Sequence, residues 1–279
     1  MTTILPTLDV IIPCYNASST IERAIISVLP QNTVQHLYIV NDGSTDDTWQ
    51  VLQQLQAKYQ SQYPHKIILL NMPYNNGVAT ARNWGALHSQ ADLIAFLDAD
   101  DAYQSNALSP IPTIFQYLPT LSVLKLRLIP IDLADKYSQH SDFHNVWNVL
   151  QNIGAGNSIF RRSLFLACGG FPQHELFKKF GGEDACLSHA LERSTMVGSL
   201  FAPQHMGVLN YCRTGMHAER LLNAYLFNVH DQRLTQHEFD LAEQLTQNIV
   251  NQLNQLKPIL NYNEQVGRRE ILIEYAPNE

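Results

Sequence analysis

Along the first hundred residues, short continuous apolar runs alternate with amphipathic segments. Leu8-Asp9-Val10-Ile11-Ile12-Pro13, Leu37-Tyr38-Ile39-Val40, Lys66-Ile67-Ile68-Leu69-Leu70 and Asp92 to Leu97 read as strands. Between them, a segment capped by Ser18 or Ser19 and running to about Leu29 sets Ile21, Ala24, Ile25 and Val28 on one helical face. A second helix, capped by Asp46 or Asp47, carries Val51, Leu52 and Leu55, and a third runs from Gly77 to about Ser89. Continuous apolar strands separated by helices of ~10–15 residues predict a mostly parallel sheet covered on both faces. Ligands of such sheets bind beyond the carboxyl ends of the strands. Four polar clusters follow strands here: Cys14-Tyr15-Asn16, Asn41-Asp42-Gly43-Ser44, Asn75-Asn76-Gly77 and Asp98 to Asp101. Their convergence on one edge describes a site.

The second half is less regular. Leu121 to Ile131 reads as a strand, Asp132 to Asn148 as a polar loop, and Gly156 to Phe160 as a further strand followed by a short helix ending at Gly169-Gly170. Gly181-Gly182-Glu183-Asp184 opens a helix from Ala185 to about Arg193, and strands are expected near Val197–Phe201 and Val208–Cys212. From Glu219 the chain turns helical, with Leu241, Leu245, Ile249, Leu253 and Leu256 spaced as one stripe. That stripe suits packing on the body of the protein, or a homodimer seam. Its Gln- and Asn-rich polar face disfavours an anionic membrane.

Composition narrows the partners. A chain of 279 residues can bury a sizeable core, and no apolar run approaches the ~18 residues that span a bilayer. The formal charge of -7 argues against nonspecific nucleic-acid binding. An acidic protein that takes an anionic substrate needs a metal to offset the charge. Cys14, Cys168, Cys186 and Cys212 are widely spaced and read as reduced thiols, and the N-terminus has no basic signal region; both point to the cytoplasm.

Asp98 and Asp100 stand two apart, so in an extended chain both carboxylates face one side while Asp101 faces another. Convergent carboxylates are hard oxygen ligands for Mg2+ or Mn2+, which in turn hold phosphates. A helix cap by Asp100 or Asp101 is the plainer alternative. A phosphatase nucleophile also occurs in an Asp-x-Asp triplet, but it sits after the first strand and continues to Thr or Val, where Ala102 stands here. A nucleotidyltransferase expects a Gly-rich basic loop after the first strand, and Pro13-Cys14-Tyr15-Asn16 is not one.

Taken in order, Ile11 to Asn16, Val40 to Asp46, Asn76 to Gly85, Phe96 to Asp101, Gly156 to Arg162, Gly169 to Pro172 and Gly182-Glu183-Asp184 resemble the family 2 glycosyltransferases of the GT-A fold. The resemblance covers roughly residues 8 to 217. It implies an α/β, Rossmann-like, mostly parallel central sheet flanked by helices, with a C-terminal helical extension. The domain would span 1–218, with a nucleotide-sugar half at 1–101 and an acceptor half at 102–218, and the extension would be 219–279. It further implies that Pro13, Tyr15 and Asn16 contact the nucleotide, that Asp42 accepts the base N–H, that Arg82 lies near the diphosphate or braces the acidic loop, and that Asp98 contacts ribose or donor. Asp100 would be the ligand of Mn2+ or Mg2+. Asp184, rather than Glu183, would be the general base of an inverting transfer. His217, or His205 in its place, would complete the metal site.

The expected activity is transfer of one sugar from a nucleotide-diphosphate donor, UDP-linked, to a hydroxyl of a glycan or lipid-linked saccharide in cell-surface glycan synthesis. Absence of a Gln-x-x-Arg-Trp motif and of flanking membrane helices points to single-sugar transfer, with at most peripheral membrane contact. A nucleotide-sugar-binding protein without transfer is the alternative.

Overall fold

The computed structural model describes residues 4–260 and 265–273. The first half builds β1 (Leu8–Cys14), α1 (Ile21–Val28), β2 (Val34–Asp42), α2 (Thr48–Tyr59), β3 (Ile67–Met72), α3 (Val78–His88) and β4 (Leu93–Phe96). Then come β5 (Ala102–Tyr103), α4 (Ile111–Tyr117), β6 (Leu121–Leu126), β7 (Leu128–Ile131), α5 (Asp135–Ser138), α6 (Phe143–Ile153), β8 (Ser158–Arg161) and α7 (Arg162–Ala167). The chain continues through α8 (Glu175–Phe180), α9 (Glu183–Ser194), β9 (Met196–Leu200), β10 (Val208–Tyr211), α10 (His217–Phe227), α11 (Gln236–Leu260) and β11 (Gly267–Glu270).

Eight strands form one sheet in the order β11-β9-β6-β8-β4-β1-β2-β3, and β5-β10-β7 form a small second sheet. All pairings in the large sheet are parallel except the two made by β8, which runs antiparallel to β4 and β6. The expected mostly parallel, helix-covered sheet is what forms. Alternation along β1 shows why both faces are covered. Val10 and Ile12 pack into the layer under α1 and α2, whereas Ile11 points into the opposite layer with α3, α7 and α9. Each of these three side chains is fully buried.

Several local readings change. α1 begins after Thr20 with no side-chain cap, not at Ser18 or Ser19. The apolar run from Leu121 to Ile131 splits at Arg127 into strands of different sheets. Asp132 to Asn148 is largely helical rather than a loop. Val146, Trp147 and Leu150 lie on one face of α6 and bury against Tyr137 of α5 and Leu222 and Leu226 of α10, so the helix needed a partner distant in sequence to become visible. The C-terminal stripe finds its cover inside the chain. Ile249 and Leu253 of α11 are buried, and Leu245 packs beside them, in the layer that holds α7 and α9. That face is therefore occupied without a second copy. The extension also supplies β11, which pairs with β9 at the sheet edge. Among the described residues no helix is long and apolar enough to cross a membrane.

Candidate active site

The loops after β1, β2 and β3 are tied together before any ligand arrives. Asn16, at a φ of 50°, points its Oδ1 at the Thr45 N–H (2.8 Å), and its own N–H donates to Ser44 Oγ (3.0 Å). Asp42 is buried, and its two oxygens accept the backbone N–H groups of Asn76 (2.8 Å) and Gly77 (2.9 Å). Burial raises its pKa, and those two bonds oppose the rise. Gly43, at a φ of +61°, lies so close to the next loop that a Cβ would fall 2.3 Å from the Tyr74 carbonyl carbon. Asp42 thus fastens the turn that opens α3, and it does not line the cavity described below. Pro13 and the half-exposed Tyr15 do line it, with 45% of the Tyr15 surface open.

After β4 the three acids part ways. Asp98 Oδ1 accepts from Arg82 Nη2 at 2.6 Å, and Arg82 Nη1 lies 3.5 Å from Glu183 Oε1. Arg82 is only 5% exposed, so one buried cation bridges the acidic loop and the start of α9. Asp100 faces the same cavity as Asp98, and its Oδ2 accepts from Nε (3.1 Å) and Nη2 (3.0 Å) of Arg213. The expected extended segment is instead a turn, closed by the Asp101 N–H donating to the Asp98 carbonyl at 3.1 Å, and Asp101 borders the same cavity with its carboxylate engaged from β10. It caps no helix: the chain enters β5 next, and the buried carboxylate accepts from Asn210 Nδ2 (2.8 Å) and the Tyr211 N–H (3.0 Å). Burial above all, with Asp98 and Asp100 beside it, holds its pKa well above the usual carboxylate range.

These groups surround a cavity of about 520 Å3, whose apolar side is built by Trp147 of α6 and Leu221 of α10. A second cavity of about 380 Å3 adjoins it and shares Val78, Arg82, Asp98 and Asp184. Glu183 and Asp184 open α9 after Gly182, which holds a φ of 98°. Glu183 is 7% exposed and committed to Arg82; burial and then Asp184 raise its pKa, against the pull of Arg82. Asp184 is half-buried and lines both cavities. Its Oδ1 accepts the Ala185 N–H at 2.8 Å, and Oδ2 makes no hydrogen bond among the described residues.

Beneath α9 lies Lys125, fully buried on β6. Its Nζ donates to the Gly154 carbonyl (2.7 Å) and Ser188 Oγ (3.0 Å), pinning α9 to the loop whose Gly156 packs against the Asp98 carboxylate. Burial lowers its pKa from 10.5 to about 7. Between those values the folded protein binds fewer protons at this site than the unfolded chain, so this site's stabilisation grows as pH rises and is lost as pH falls through about 7. The stability difference between wild type and Lys125→Met should therefore shift toward wild type from pH 7 to 9, read by urea melts at each pH. A pH-independent difference would show that the ammonium is not carried at its depressed value.

Asp98 and Asp100 offer hard oxygens on one side of the cavity, and Asp100 Oδ1 accepts no hydrogen bond among the described residues. Among those residues no group of three or more His, Cys, Asp or Glu is placed to hold a metal. The donor set therefore fits a divalent cation held by one or two carboxylates and completed by substrate phosphates, rather than a closed protein cage. His217 opens α10, but its side chain lies outside the described residues. His205 is 3% exposed and lines neither cavity, which removes it as the rival ligand.

Sequence reasoning missed Arg213 and Arg23. The Arg23 guanidinium stacks 3.6 Å from the Tyr211 ring centroid and donates to the Asp100 carbonyl. Arg213 stood in the very segment quoted for His217, so it was within reach; Arg23 sits on the polar side of α1 and carried no signal.

A doubly covered, mostly parallel sheet with a cavity at its carboxyl edge, bordered by an aromatic and several carboxylates, defines an α/β protein of the open-sheet class, whose ligands bind at that edge. Residues 9–178 match the model of glycosyl transferase family 2, and the chain belongs to that family. A glycosyltransferase of Haemophilus influenzae is 33% identical over 105 residues, covering 37% of this chain and 40% of that protein. The UDP-Glc:alpha-D-GlcNAc-diphosphoundecaprenol beta-1,3-glucosyltransferase WfaP of Escherichia coli is 33% identical over 103 residues, or 36% of this chain and 38% of that one. The match thus spans about two fifths of the length of these curated relatives. Among solved structures, mannosyltransferase PcManGT from Pyrobaculum calidifontis, in complex with GDP-Man and Mn2+, superposes with a TM-score of 0.58 at 16% identity, covering 95% of this chain and 77% of that one. Residues 1–349 of S. aureus TarS in complex with UDP-GlcNAc give 0.58 at 16% identity, with 88% and 72% covered. At that identity both likenesses speak to the fold.

Proposed function

We propose that the protein is an inverting glycosyltransferase that moves one sugar from a UDP-sugar to a hydroxyl of a glycan or lipid-linked saccharide, in the synthesis of cell-surface glycans on the cytoplasmic side. The observation that carries this reading is the one cavity into which Tyr15, Asp98, Asp100 and Asp184 all open. Tyr15 presents a flat face on which a base stacks, beside Pro13 and the loop that Asn16 and Asp42 hold in place. Asp98 meets the ribose, and Arg82 orients that carboxylate. Asp100 would hold Mn2+ or Mg2+, which would supply positive charge to offset that of the diphosphate. Asp184 takes the acceptor's hydroxyl proton as the oxygen bonds to the anomeric carbon; the bond from that carbon to the phosphate oxygen breaks, and nucleoside diphosphate leaves. Asp184 suits this task better than Glu183, whose carboxylate is buried against Arg82. The donor named for WfaP and the ligands of TarS and PcManGT support the donor class.

Thermal melts with UDP, GDP and nucleotide sugars, each with Mn2+ or Mg2+, test the reading. Ligand at a hundredfold excess over Kd stabilises by about 2.7 kcal/mol, an upward shift on the order of 5 °C or more for a chain of this size. UDP with either cation is expected to give that shift, and a UDP-sugar to be turned over. Silence from every nucleotide diphosphate would overturn the assignment, and binding with no turnover of any donor would make the chain a binding protein.

A further inference from the structure

The second cavity divides its charge in a way the donor site does not use. Its inner wall holds Arg82, Glu183 and Asp184. Its mouth carries Lys178 and Lys179, both exposed at the end of α8, and Arg220 of α10. The backbone and ring of Phe180 gather the cations. Lys179 Nζ sits 4.8 Å from the ring centroid, Arg233 lies over the same ring at 5.5 Å, and Arg220 Nη2 donates to the Phe180 carbonyl at 3.3 Å. Lys178 pairs with the exposed Glu175 (2.7 Å) and Arg233 with Asp231 (2.6 Å), whereas Lys179 has no ion-pair partner among the described residues. In a chain of net charge -7, this mouth gathers basic side chains on one side of the cavity, with Lys178 offset by Glu175.

A ligand matched to this cavity has two unlike ends. Toward Asp184 and Glu183 an anion is repelled and a neutral hydroxyl is accommodated. Toward Lys178, Lys179 and Arg220 an anion is drawn in, and the several N–H donors of two ammonium groups and a guanidinium suit the oxygens of a phosphate or diphosphate ester better than the two of a carboxylate. Asp184, common to both cavities, stands where such a ligand would meet the donor sugar. We propose that this second cavity is the acceptor subsite and takes a saccharide whose far end carries a phosphate or diphosphate ester, held by Lys178, Lys179 and Arg220. The proposal rests on the glycosyltransferase reading above.

Calorimetry tests it in two titrations. UDP with Mn2+ is titrated first, which examines the donor site alone; inorganic pyrophosphate is then titrated into the UDP-saturated protein. Pyrophosphate is expected to bind, and the ratio of its affinity to that for UDP should fall about tenfold or more in Lys178→Gln/Lys179→Gln and, separately, in Arg220→Gln. Both lysines are exposed, and far-UV circular dichroism checks each variant's fold. Failure of pyrophosphate to bind, binding unchanged in both variants, or equal binding of glucuronate would overturn the proposal. If UDP does not bind, the same pyrophosphate titration on the unloaded protein keeps or removes the anion subsite independently of the donor reading. Sedimentation with phosphatidylcholine vesicles, with and without a polyisoprenyl phosphate, separates the sources. Capture that needs the lipid phosphate and the lysines supports a lipid-carried ester; pyrophosphate binding without capture supports a soluble one.

Discussion

Asp184→Asn is expected to lower sugar transfer by on the order of 10²–10⁴-fold while leaving UDP binding in place. The substitution keeps the size of the side chain, and the amide oxygen can still accept the Ala185 N–H that now meets Oδ1. Only the ability to accept a proton disappears. Glu183→Gln makes the control, because that carboxylate faces Arg82 and its loss should register in the melting temperature before it registers in a proton-transfer step. Steady-state rates with saturating donor, alongside calorimetry with UDP and Mn2+, separate the two. An Asp184→Asn protein that keeps most of its transfer rate would sink the assignment.

Arg82→Met should cost about 3–5 kcal/mol of stability, the range seen when one partner of a buried charge cluster is removed. Arg82 is buried, 2.6 Å from Asp98 and 3.5 Å from Glu183, so its loss strands a buried carboxylate beside Asp184 and a second one at the cavity wall. Urea denaturation should show a lower midpoint at unchanged slope. The deficit should narrow as pH falls, because burial raises the Glu183 pKa and its protonation removes charge that Arg82 balances. A deficit under about 1 kcal/mol would mean that the network is of the weak, solvent-screened kind.

The sequence disclosed the parts of this protein whose signals are local. Strands buried on both faces must be continuously apolar, so β1 to β4 and the helices between them were visible from Leu8 to Leu97. The acidic cluster after β4 was legible as a set, but its geometry was not: residues 98–101 form a turn, and the separate partners of Asp101 come from β10 rather than from the alternation of a strand. What stayed hidden depends on distant partners. Tyr137 and Trp147 lie in a stretch that looks like a polar loop until Leu222 and Leu226 cover it. The Arg213 and Arg23 contacts to Asp100 join positions 113 and 77 residues apart, and no pattern along the chain announces them. Asp42 illustrates a third limit. Its residue type and place after β2 suit a ligand contact, yet the same carboxylate is what two loop N–H groups need, and only the fold shows that this need is met.

The placement of β11 has a consequence for synthesis. β3, β2, β1 and β4 can assemble as soon as about one third of the chain has left the ribosome, because their three mutual pairings, β1 with β2, β2 with β3 and β1 with β4, all lie within residues 8–96. The other wing waits. β9 is paired on one side by β6, and its free edge is closed by residues 267–270, which are made some seventy residues after it. Throughout that interval an unpaired strand of five residues stands open to any extended segment in reach. The helix that precedes β11 is the longest among the described residues, with 25 residues, and it docks on α9 and α7. Docking of that helix brings the closing strand to the edge, so a segment made well after β9 is also the one that shields this edge from neighbouring chains.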